Sequence, residues 1–507
     1  MNTLHKRLWI ALLVSTTAVG ELLVAAHPAL AQETGSRVEE GPTVVVPGDS
    51  ILSEYTNQAP PSPSPPRYTL LRFNENYRYL SDPALRDDFF DPAKYISLSN
   101  DNPGTYLSLG GELRERYEHY TEPGFGVPKN PKYDDYVLQR VTVDADLHFN
   151  DHIRFFGQGI SGFDFGGERA KPPTDADPAD LQQAFLDYKF FDDATGDSNY
   201  VVTRVGRFEM SYGAARLVAT RAAPNIPFKF DGLQVIASEA GAKVYAFVTK
   251  PAREQQRRFD DEYPGQLFWG TYVETPSLGT PLAIRADVYY LGYKNEQASY
   301  ATVKGREVRH TVGTRLYGKV DGFDYDIEPI IQFGTLANRN IRAWTVGSSF
   351  GYTFGRLPWT PRIGTNLDVA SGDSGKPGNG SFGAFNPLYF KAGYFNDASL
   401  IRPTNVMDFH PTVELFPHTG VLLTFGSDSI WRYSRHDAIY GPPGNVELPA
   451  SSGSRYVATT AEASAQWQIN RHLSWIVSYV HFFTANYVAS AQGRDVSFYG
   501  SWFTFTW

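Results

Sequence analysis

From Thr105 onward, apolar and polar residues alternate with period two. In Tyr106–Tyr117, Leu107, Leu109, Leu113 and Tyr117 share one face, and Ser108, Glu112, Arg114 and Arg116 share the other. In 137–149, Val141, Val143, Ala145, Leu147 and Phe149 oppose Arg140, Thr142, Asp144, Asp146 and His148. In 323–333, Phe323, Tyr325, Ile327, Ile331 and Phe333 oppose Asp324, Asp326, Glu328 and Gln332. A helix would scatter these charges around its surface, whereas a strand gathers them on one side. The pattern predicts about 18 strands between residues 105 and 507, an even count that suits a membrane barrel.

A soluble sandwich also alternates, so the connections decide. The tight ones fall at Asn150-Asp151, Ser238–Ala240, Lys319–Gly322 and Ile469–Arg471. Between them lie long connections at 163–180, 211–230, 371–403 and 434–454. Short turns at one rim and long loops at the other are the habit of an antiparallel up-and-down transmembrane β-barrel. A ring of about 18 strands is too wide for wall side chains alone to fill. The last strand alternates Tyr499, Phe503, Phe505 and Trp507 and is expected to pair with the first. Its closing aromatic resembles the signal read by the barrel assembly machinery. The wager is that apolar side chains face lipid and ionic ones face a wet interior.

Composition agrees. Aromatic residues make up 15%, charged residues 20%, and there is no cysteine, so neither disulfides nor thiolate metal sites are available. The net charge of −9 argues against general nucleic-acid binding. Residues 1–31 read as a signal peptide: a basic start at Lys6-Arg7, an apolar run from Leu8, and Ala29-Leu30-Ala31 as the cleavage site. Residues 32–70, with Pro60, Pro61, Pro63, Pro65 and Pro66, read as a flexible linker. Residues 71–104 are expected to form a periplasmic or plug-like segment, and 105–507 the barrel.

Five segments in order resemble the alginate export family of outer-membrane barrels. They are YLSLGGELRERY at 106–117, QQAFLD at 182–187, RVGR at 204–207 with Tyr212-Gly213 and Arg216, FDG at 230–232, and ASGD at 370–373. The resemblance covers about 100–507. It implies an 18-stranded barrel in the outer membrane that passes an anionic saccharide or polysaccharide through an arginine-lined lumen. The path would be lined by Arg114, Arg116, Arg140, Arg154, Arg207, Arg309, Arg315 and Arg362. Glu112, Asp144, Asp187 and Glu328 would keep the wall from holding its cargo too tightly. Arginine suits the task because it stays charged and forks onto carboxylates. The facing of Arg204 and Arg207 is ambiguous, since apolar residues flank both sides there. By the same resemblance, loop 163–180 could narrow the pore. One departure stands out: the long pore-plugging periplasmic turn of the alginate exporter is here only Ile469-Asn-Arg471. The alternative is a small-solute uptake porin without strong anion preference. The expected partners are outer-membrane lipid, an anionic saccharide cargo, the assembly machinery and periplasmic export components.

Other chemistry is set aside. Gly347–Gly351 matches G-x-S-x-G, but it lies inside an alternating strand, where no nucleophile elbow can form. Asp408 and His410 share a strand face without a serine partner. Asp368, Asp373 and Ser374 in a glycine-rich loop read as an outer loop rather than a calcium site. No H-E-x-x-H spacing and no phosphate-cradling loop occurs. No enzyme activity, cofactor or metal is expected.

Overall fold

The computed structural model describes residues 68–507 apart from 128–129, 170, 194–195, 376–379 and 452. The signal peptide and linker residues 32–67 lie outside the described residues. Eighteen antiparallel strands form a closed barrel. In chain order they are β1 (Tyr106–Thr121), β2 (Tyr133–His148), β3 (Ile153–Gly166), β4 (Asp177–Asp193), β5 (Gly196–Phe208) and β6 (Phe230–Glu239). Next come β7 (Ala242–Arg253), β8 (Gln266–Glu274), β9 (Arg285–Ser299), β10 (Lys304–Val320), β11 (Phe323–Leu336) and β12 (Arg339–Thr353). The ring ends with β13 (Arg362–Ala370), β14 (Val406–His418), β15 (421–432, broken at 427–428), β16 (Tyr456–Gln468), β17 (Leu473–Thr484) and β18 (Val496–Thr506). Each strand pairs with the next, and β18 pairs with β1 from Glu112↔Thr506 to Thr121↔Ser497. Closure leaves no sheet edge unpaired, as a spanning sheet in lipid requires.

Burial follows the alternation. On β1, Arg114, Arg116 and Glu118 are buried, while Leu113 and Tyr117 are exposed. Val143 and Ile331 are each 57% exposed. Fully burying such a side chain is worth about 1.5–3 kcal/mol, so a ring of them left in water would be a heavy penalty. The apolar residues therefore form the lipid-facing belt, and charges such as Arg114, Arg116 and Glu118 point inward.

The long connections leave one rim. They include L3 (209–229), L4 (254–265), L7 (371–405) and L8 (433–455). At the other rim no connection exceeds the ten residues of 275–284. Short turns face the periplasm in this class, so L3, L4, L7 and L8 leave the outer rim.

L3 and L7 do not stay in water. Tyr212, Leu217 and Val218 of L3, and Phe382, Phe385 and Tyr389 of L7, join inward residues Phe230, Phe268 and Ile330 in one buried apolar cluster. The two loops pair as well: Val218 bridges Tyr389 in parallel, and the Ala219 and Lys391 N–H groups donate to Tyr389 and Ala215 carbonyls. At the periplasmic end, the Phe73 ring packs against Phe156 and Phe185, with the Arg204 guanidinium 4.0 Å from its centroid.

Candidate functional site

The candidate site is the lumen wall and the loops folded against it. Strand parity aims each side chain, and the charges then find partners at short range. Arg114 donates to the carbonyls of Ala222 (2.6 Å), Ala223 (3.0 Å) and Pro224 (3.1 Å) in L3. Arg140 donates to the Ala222 carbonyl at 2.9 Å and, through two nitrogens, to the Oε1 of Glu112 at 2.8 and 2.9 Å. Arg116 reaches the Ala223 carbonyl at 3.2 Å, pairs with Glu118 and lies over the Trp502 ring. Three arginines of β1 and β2 thus hold one stretch of loop backbone.

L3 is held at the far side too. Arg216 donates at 2.7 Å to both Asp326 and Glu328 on β11. β11 stands nine strands from β2, across an eighteen-strand ring. L3 therefore spans the lumen from wall to wall. L7 is anchored by Arg309, which donates to Glu307 (2.5 Å), Gln332 (2.7 Å) and the Ala384 carbonyl (3.2 Å). Arg339 forks onto Asp373 at 2.8 and 2.9 Å, so that loop aspartate is already partnered.

The remaining expected residues are also placed. Arg154 forks onto Asp146 and donates to the Phe73 carbonyl at 2.6 Å. Asp144 lies 3.7 Å from Arg72 of the N-terminal segment. Arg315 bridges Asp326 and Asp287, and Arg362 bridges Asp324 and Glu414. Glu328 also accepts from the Tyr289 hydroxyl at 2.6 Å.

Arg207 is a correction. It pairs in register with Ala184 and Asp231 on the outward face, and forks onto Asp231 at 2.7 and 2.8 Å. The inward arginine of that strand is Arg204, which forks onto Asp187 at 2.8 and 2.9 Å. Val201, Val202 and Val205 make the strand apolar on both faces, because its inner face packs on Phe73 as well as lining the wall.

Loop 163–180 is strand at both ends, with 167–176 as the connection. Phe163–Gly166 belongs to β3 and Asp177–Asp180 to β4. Within it, Arg169 pairs with Asp134, Asp164 and Asp175. The segment that crosses the lumen is L3. The signal was in its composition, since Met210, Ala214, Ala215, Leu217, Val218, Ala219, Ala222 and Ile226 are too apolar for a solvated loop.

His410 partners Glu462 at 3.2 Å rather than Asp408. Asp408 and Asp428 are buried, and none of their oxygens has a hydrogen bond of full geometry. Ser349 sits mid-strand, in register with Asp326, as the period of two required.

A family model described as "Alginate export" matches residues 105–501. No curated protein matches the chain in sequence. A BenF-like porin from Pseudomonas fluorescens Pf-5 is similar in structure, with a TM-score of 0.54 and 10% identity over 79% of this chain and 98% of that one. OpdK from Pseudomonas aeruginosa gives 0.52 and 11%, over 79% and 99%. OpdK solved with vanillate gives 0.51 and 9%, over 79% and 98%. At such identities the likeness is one of fold.

Proposed function

This chain belongs to the alginate export family and is a solute channel of the bacterial outer membrane; we propose that its solutes are small and pass without a marked preference for anions. The carrying observation is that each of seven inward arginines already holds at least one oxygen of the protein. Arg114, Arg116 and Arg140 hold L3 carbonyls, and Arg154, Arg309, Arg315 and Arg362 hold carboxylates. A guanidinium already engaged by a carboxylate or a carbonyl offers a passing anion less than a bare one. The buried carboxylates Asp408 and Asp428, by contrast, lack such partners. The apolar packing of L3 and L7 in the lumen also favours a narrow path over a polymer conduit. A solute of vanillate size, as in the OpdK structure, sets the scale of cargo.

Planar-bilayer recordings in a salt gradient test this. The expected reversal potential is near zero or displaced toward cations. Strong anion selectivity would overturn the proposal.

The family match favours a second reading, an anionic saccharide or polysaccharide carried along an arginine-lined path. It requires L3 to withdraw, which would bare Arg114, Arg116 and Arg140 together. Block of the current by oligouronate would support it. Export in that reading calls for periplasmic components beside the outer-membrane lipid and the barrel assembly machinery. In both readings residues 71–104 act as a periplasmic plug, anchored where Arg72 donates to the Trp507 carbonyl and where Arg154 holds Phe73.

A further inference from the structure

Where L3 and L4 meet the outer end of β4, three aspartates converge. Asp177, Asp180 and Asp260 each place a carboxylate oxygen within 4.8 Å of the other two, and all three are buried. Asp177 is wholly buried. Neither of its oxygens has a hydrogen bond of full geometry, although the backbone N–H groups of Ala179 and Arg257 lie near.

The other two are partly satisfied. Asp180 accepts from Lys229 Nζ at 2.5 Å and from the Asp260 N–H at 3.2 Å. Asp260 lies 2.8 Å from Lys229 Nζ and accepts from the Gln255 N–H at 2.5 Å. With all three carboxylates ionised, the one ammonium of Lys229 would leave two negative charges out of water. Burying charge without a counterion is among the costliest things a fold can do. The ammonium cannot cancel that excess, and it ion-pairs with Asp180 and Asp260 rather than with Asp177.

We propose that Asp177, Asp180 and Asp260 bind one divalent cation, with calcium chemistry, at the outer rim. A hard cation of charge two cancels the surplus, and carboxylate oxygens are its preferred ligands. Calcium is favoured over magnesium because the ligands come from a strand and a loop. That arrangement tolerates irregular, higher coordination better than a strict octahedron. The bound ion would fasten L4 to β4 beside the end of L3, so the site is a clasp for the loops over the lumen.

The test uses the full chain in detergent, stripped with chelator and titrated with calcium. The wild type should bind one ion per barrel, with a dissociation constant on the order of 10⁻⁴–10⁻³ M or tighter, as in extracellular modules. Asp177→Asn should weaken binding at least about tenfold through loss of a charged ligand, and Lys229→Met should tighten it. Calcium should also slow tryptic cutting after Arg257 and Arg258, both in L4, in the wild type but not in Asp177→Asn. Heat-modifiable migration on a gel reports an intact barrel, and Asp260→Asn carries the same comparison if Asp177→Asn does not fold. A wild-type barrel that binds no calcium, or an intact variant that binds it equally well, overturns the proposal.

Discussion

Arg309 has no exposed surface, and its charge is met by Glu307, by the Tyr300 hydroxyl and by the oxygens of Gln332 and Ala384. Arg309→Met would strand Glu307 and free the L7 backbone. The expected loss is about 3–5 kcal/mol, the usual cost of breaking a buried pair by removing one partner. Denaturant titration of the barrel in lipid vesicles measures it, with protease sensitivity of L7 rising in parallel. Glu447, in L8, titrates differently. Burial alone pushes its carboxyl up to about 7, so the folded loop favours the protonated form. Its contribution is complete below the ordinary glutamate range and is lost as pH climbs to about 7. Hydrogen-exchange protection of residues 439–448, taken relative to the intrinsic rate at each pH, should therefore fall between pH 5 and 8, and Glu447→Gln should flatten that dependence. At this scale the sequence revealed the facing of a side chain but not its partner. Arg114 could be read as inward from its neighbours alone. That it grips residues 222–225, more than a hundred positions away, is information that only the folded loop carries. Arg207 escaped even the facing, because its strand is apolar on both sides.

Strands were legible as elements because lipid enforces alternation along every one of them. Loops are under no such periodic constraint, so their course is less legible. The charges of 163–180 leave open whether that segment narrows the pore; in the folded barrel its Arg169 pairs with Asp134, Asp164 and Asp175. L3 was passed over, although its apolar composition has no stable place in water. Replacing residues 213–224 by a short Gly-Ser linker should remove the Arg216 contact and the carbonyls held by Arg114 and Arg140. Single-channel conductance is expected to rise severalfold with strand content unchanged by circular dichroism. Unchanged conductance would mean that L7 alone blocks the path. Asp177, Asp180 and Asp260 were illegible for a related reason, since two sit on a strand and one on a loop about eighty residues later.

For the whole molecule, the barrel is a protein with its polarity reversed, greasy outside and ionic within. Ile331, more than half exposed near the middle of β11, makes that statement testable. In water a surface isoleucine could become arginine at little cost. In a bilayer the same change should cost about 2–4 kcal/mol if the position lies at the midplane. Unfolding of Ile331→Arg from lipid vesicles would read the difference, and a neutral result would remove the residue from the hydrocarbon. The closed ring, the strand count and the sorting of loops by rim were all legible in advance, because they follow from one demand: every backbone group must be paired within lipid.

The tie that L3 makes between β2 and β11 also constrains the order of events when this molecule is built. A threaded segment gripped from opposite sides cannot be slipped easily into a finished hoop. The staves must gather around it, so the seam at β1 and β18 should be the last to shut. A disulfide engineered to lock that seam early would then yield hoops with their centre left hanging outside.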